Sequence, residues 1–395
     1  MAPPGGIPQG YSQSDHIPPK FMEKNPPPEG ADTNTRAYLI FFGYLGLCAS
    51  LTIVIVQRLL KSYRILYKST TARPPPKEYV WLFACLAAGS LGTTWYHMFQ
   101  FFNISYQQWY TWRSYYDLPA EKLHWGLWLK ETSLFKEAWQ TAIVGNARYW
   151  WTHQIFLFAC GLGLDLERRG VPRGIRHTWA FMLLGQIVAI SFATNLFLLA
   201  LLLSPPALPA PTPTALQKNK WYGPWLINLV AIAVTEIAAF ELRSESYWYW
   251  HGKSIMPVLI APHVALLVLP IARGSLPSRY ISDNNVAFVD DVYKWLWRMT
   301  IAGGAWIWVT CTVVAINYGG VAGILNALFE HSAITSVGFD VVFCWITWFS
   351  WWSIRRAGLE ELLVTEEENE EVSWKGIGTA TTVTSADDSG AVRRR

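Results

Sequence analysis

Charge is scarce in this chain. Asp, Glu, Lys and Arg make up 15% of 395 residues, against about a quarter of an ordinary soluble domain. The net charge is only +4, and Lys and Arg gather between apolar blocks, which excludes a nucleic-acid-binding surface. The five cysteines, Cys48, Cys85, Cys160, Cys311 and Cys344, are scattered through apolar runs with no CxxC pair. A disulfide framework and a thiol redox motif are therefore excluded. There are no HxxxH or HxxHH clusters of the kind membrane di-iron enzymes need, and no Walker A loop for nucleotide-driven transport. The nearest approach to a magnesium–diphosphate motif, Asp283-Asn284-Asn285 followed by Asp290-Asp291, is imperfect and reads as a solvated acidic loop. A DxDD protonation motif is missing as well. The first 36 residues lack an apolar signal-peptide core, so the first membrane helix is expected to act as the signal anchor. No metal and no cofactor is expected.

Apolar residues, in contrast, are abundant. They form 52% of the chain, and the mean hydropathy is +0.17. They fall in blocks of a length that matches the bilayer core, about 20 residues. Eight membrane segments are predicted, over 37–60, 79–102, 147–164, 178–203, 223–240, 255–272, 299–317 and 333–354. Between the second and third, residues 124–144 mix Trp125, Trp128, Phe135 and Trp139 with Lys130, Glu131, Lys136 and Glu137. That pattern predicts an amphipathic helix on the membrane interface, able to cap a cavity. The fold expected is all-α, a polytopic transmembrane bundle of about eight helices. Its domain spans 37–356, between a Pro-rich tail over 1–36 and an acidic tail over 357–395, both expected to be disordered. Residues 205–213 read as a Pro-rich linker. Basic residues such as Arg58, Lys61 and Arg64 in the first loop and Arg168, Arg169 and Arg173 in the third predict cytoplasmic loops, while Arg355 and Arg356 pull the other way. The default location is a multi-pass protein of the endoplasmic reticulum.

Two acids lie inside the apolar segments, Glu236 and Asp340. Ionisable groups at membrane depth are costly and point to function by default. On a helix Glu236 shares a face with Trp225, Ile232, Ala233 and Phe240, and Asp340 with Phe343, Cys344, Thr347 and Trp351. Trp348 belongs to the same indole-dense stretch as Trp351. An acid in a dry aromatic pocket can act as a general acid, and ring faces attract a cation. Both residues can equally hold helices together by hydrogen bonds. Asp165, beside Glu167, Arg168 and Arg169, is a third acid, which reads first as a solvated helix end with local ion pairs. His153 and His263 fall in apolar segments, and His263, flanked by Pro257, Pro262 and Pro270, could serve an acyltransferase of the wax-synthase kind.

The 146–154 stretch with Tyr149, Trp150, Trp151 and His153, the 235–241 stretch with Glu236 and Glu241, and the Pro-rich ends resemble the integral-membrane terpene cyclases of fungal meroterpenoid pathways, of the ascochlorin, ascofuranone and macrophorin type. The resemblance covers the membrane core. It implies metal-independent cyclisation of a hydrophobic, farnesylated small molecule that enters from the lipid bilayer. Glu236, Asp340 or Asp165 would supply the proton to an epoxide or olefin. Trp225, Phe240, Trp150, Trp151, Phe343, Trp348, Trp351, His153 and His263 would line the substrate's path. A small-molecule or lipid transporter and a membrane-bound acyltransferase are the alternatives.

Overall fold

A computed structural model describes residues 33–68, 74–113, 122–171, 173–175, 177–204, 225–243, 255–275 and 286–356. The two expected tails beyond these bounds, the Pro-rich linker and the Asp283-Asn284-Asn285 motif lie outside the described residues. Every regular element among them is helical. Eleven helices follow one another: α1 (Thr35–Lys68), α2 (Lys77–Arg113), α3 (Trp125–Glu131), α4 (Leu134–Ile143), α5 (Asn146–Asp165), α6 (Thr178–Ile187), α7 (Ile190–Leu202), α8 (Trp225–Leu242), α9 (Met256–Ser275), α10 (Val286–Glu330) and α11 (Ser332–Arg356). A π-helical turn, Leu166–Gly170, extends α5.

Four of these, α1, α8, α10 and α11, are long and apolar enough to cross a membrane. The outer surface agrees with that reading. Leu39, Ile40, Phe42 and Ile53 of α1, and Ile301, Trp306 and Val313 of α10, are exposed, large apolar side chains of the kind that a membrane covers. The protein is a helical membrane protein. The interior is built around α5 and α7. All thirteen residues of α7 are buried, and α5 is buried on nearly every side, as expected of helices with no polar stripe. Helix α5 packs against α10, α11, α8 and α4, while α2 packs against α7 and α11.

Helices α1 and α2 run past their expected ends at 60 and 102, to Lys68 and Arg113, and three further departures change the course of the chain. The amphipathic stretch over 124–144 is two helices, α3 and α4, because Thr132 takes an extended conformation between them. The last-but-one segment runs on to Glu330, with a kink at Gly320 (φ 64°) that a residue with a Cβ would rarely adopt. The apolar run over 178–203 is interrupted: Val188 and Ala189 leave helical geometry, and two separate helices result.

Candidate functional site

An interrupted helix leaves carbonyls at one end and N–H groups at the other without partners. In a dry interior each orphan costs several kcal/mol. Both ends of this gap are closed by distant helices. The hydroxyl of Tyr44 on α1 donates to the carbonyl of Ile187 at 2.7 Å. On the other side the carboxylate of Asp340 on α11 accepts from the N–H of Ile190 at 2.9 Å and of Ser191 at 2.8 Å. Asp340 thus acts as an N-cap supplied in trans, where the positive end of the α7 dipole favours an anion. Further buried polar groups continue from there. Ser191 Oγ meets Ser90 Oγ at 2.5 Å, Asn195 Nδ2 donates to the carbonyl of Ser191, and Thr347 Oγ1 donates to Asn195 Oδ1. These bonds tie α2, α7 and α11 together.

The gap opens on a cavity of about 110 Å³. Asp340, Ala189 and Ile190 form one wall, His263 and Pro262 of α9 stand among the others, and Trp139 of α4 and Phe156 of α5 give the aromatic surface. The imidazole of His263 meets Trp139 edge-on, with ring centroids 6.1 Å apart. Its Nδ1 bonds the carbonyl of Leu259 at 2.7 Å. A carbonyl only accepts, so Nδ1 carries the proton and Nε2 is left with a lone pair. Gln186 Nε2 donates to the backbone carbonyl of His263 at 3.1 Å and so links α6 to α9 at this level. Thr94 of α2 also lines the cavity, and its hydroxyl is buried with no hydrogen-bond partner among the described residues.

Of the residues singled out in the sequence, the cavity brings together Asp340 and His263. Glu236 is not among the residues that line it. Its carboxylate lies against Gly303 of α10, where any Cβ would collide with it, and its Oε1 is buried with no partner among the described residues. The bare flank of Gly303 is what leaves room for the acid. Trp225 begins α8 and Phe240 is exposed beneath the guanidinium of Arg243 at 4.7 Å. His153 is wholly buried, with Nδ1 on the carbonyl of Tyr149 at 3.0 Å, and Tyr149 in turn donates to the carbonyl of Ala239.

The remaining aromatics hold helices together. Trp150 donates to Thr312 Oγ1 and Trp151 to the carbonyl of Ile324, each at 2.8 Å. Phe343 packs at Gly89 of α2. Trp348 meets Trp297 edge-on at 5.4 Å beside Gly161. Asp165 corrects one expectation: its ion pair with Arg169 forms at 3.2 Å, but the helix end is buried, with Asp165 only 2% exposed. Arg169 also lies over the ring of Trp351 at 5.8 Å, so this acid anchors the end of α5 to α11.

Sequence reasoning missed Tyr44, Thr94, Gln186 and the gap itself. The cluster Ser191, Thr194 and Asn195 within an otherwise apolar run was the one available signal of a polar junction. Trp139, which the amphipathic pattern contained, turns out to supply the cavity's indole. Among the described residues no three His, Cys, Asp or Glu side chains gather as a metal site would need. No family model, no curated protein and no solved structure matches this chain.

Proposed function

We propose that this chain is a multi-pass membrane enzyme of the endoplasmic reticulum that cyclises a farnesylated meroterpenoid intermediate by metal-independent protonation. One observation carries the reading: a buried acid, Asp340, lines a small, mainly apolar cavity together with Trp139, Phe156 and His263. The reacting end of the prenyl chain enters this cavity. The rest of the chain would lie between helices, in contact with lipid. Asp340 delivers a proton to the terminal epoxide or olefin. The N–H groups of Ile190 and Ser191 then stabilise the carboxylate left behind, and the faces of Trp139 and Phe156 stabilise the cation. Glu236 does not line this cavity and is a secondary candidate.

The test is expression in a microbial host fed a farnesyl phenol and its terminal epoxide. Cyclised product from the wild type, abolished by Asp340→Asn and retained by Glu236→Gln, is the expected result. No turnover of either substrate would overturn the reading.

A transporter is the second reading, and the interrupted helix favours it, because half-helix ends commonly bind substrate anions in transporters. Here the protein's own Asp340 already occupies that end. Uptake of a labelled organic anion by vesicles holding the purified chain, with no chemical conversion, would establish this alternative.

A further inference from the structure

Once a ring has closed, the final carbocation must lose a proton, and the acid that began the reaction is not the only group placed to take it. Resting on the cyclase reading above, we infer that His263 is the terminating base, accepting through Nε2 the proton that ends the cation's life.

The geometry supports this in three steps. His263 lines the same cavity as Asp340, on the α9 side. The bond from Nδ1 to the Leu259 carbonyl fixes the tautomer and leaves Nε2 as the basic nitrogen. The ring is held against Phe135 and Trp139, edge-on at 6.3 and 6.1 Å, and Gln186 ties the backbone of His263 to α6. A base held this way keeps its position while a cation migrates.

The step balances. A hydrogen on the carbon next to the cationic centre leaves as a proton to Nε2, and its C–H electron pair becomes the new C=C bond. Before the next cycle the imidazolium releases that proton and the Asp340 carboxylate takes one up. Acid and base are both restored, and no oxidant, reductant or second substrate is consumed.

The experiment compares products of the wild type and His263→Gln from the same farnesyl epoxide. Consumption of substrate should slow in the variant, because His263 lines the cavity, and the readout is the composition of the product that still forms. The share of olefin product should fall at least tenfold in favour of alcohol formed by water capture. An unchanged olefin-to-alcohol ratio overturns the assignment of the base while leaving the cyclase reading intact. Absence of turnover in the wild type overturns both. As a second arm, His263→Ala is assayed with added imidazole, after its elution volume in detergent is matched to the wild type. Restored olefin formation supports the base, and no restoration speaks against it.

Discussion

The carboxylate of Asp340 and the backbone of Ser191 are 149 residues apart in sequence and 2.8 Å apart in space. One side chain from α11 completes the first turn of α7. Its removal leaves the N–H groups of Ile190 and Ser191 buried and bare, and each such orphan costs about 1–3 kcal/mol. Asp340→Ala is therefore expected to lose about 2–5 kcal/mol, with the two losses partly overlapping. Thermal unfolding in detergent, followed by circular dichroism, measures it. A variant as stable as the wild type would mean that the gap is closed by something else.

Glu236 should behave in the opposite way. Its buried Oε1 makes no hydrogen bond among the described residues, so the folded state has little to lose. Glu236→Gln is expected to change stability by less than about 1 kcal/mol, or to raise it. The same thermal assay distinguishes the two acids directly.

Gly303 and Glu236 are predicted to be coupled. A Cβ at Gly303 runs into the Glu236 carboxylate, and overpacking of this kind costs about 1–3 kcal/mol. Gly303→Ala alone should be destabilised, and Gly303→Ala combined with Glu236→Ala should regain most of the loss. A double-mutant cycle with no coupling energy would show that the two do not touch.

Thr94 carries a buried hydroxyl with nothing to bond among the described residues. Thr94→Val keeps the shape and removes the unsatisfied group, so the protein should be unchanged or more stable by up to about 1 kcal/mol. If the hydroxyl serves a bound substrate, KM should rise in the same variant while kcat stays within a few fold.

His331 gives a pH signature. It sits where α10 ends and α11 begins, and its pKa is held below the ordinary 6.5 by burial first and then by the nearby Arg148 cation. The unfolded chain therefore takes up a proton before the folded one does. Stability from this residue is present above pH 6.5 and is lost as the pH falls below it. Unfolding midpoints between pH 7.5 and 5 should fall less steeply in His331→Gln than in the wild type.

Much of the architecture was legible in the chain. Long apolar blocks bounded by Pro and charge predict helices, and α1, α8 and α11 lie close to where hydropathy places them. Asp340 and His263 could be picked out because an ionisable group in an apolar helix is conspicuous wherever it falls. The interruption at Val188 and Ala189 was not legible. Both residues are ordinary helix formers, with no Pro or Gly at the break, and what holds the backbone open is a tyrosine and an aspartate far away in sequence. For the same reason helical-wheel faces misjudged Phe240, which points outward. Period alone shows which residues share a face, but not which neighbour covers it.

The gap between α6 and α7 also sets an order of assembly. Tyr44 closes its first side from the earliest described helix, and Asp340 closes the second from the last. Between the synthesis of Ile190 and that of Asp340, 150 residues must be made, which takes roughly ten to thirty seconds at cellular rates. Over that interval the N–H groups of Ile190 and Ser191 lack the carboxylate that caps them. A released chain that ends just before Asp340 should therefore be far more susceptible to quality-control proteases than one that runs to the end of α11 at Arg356.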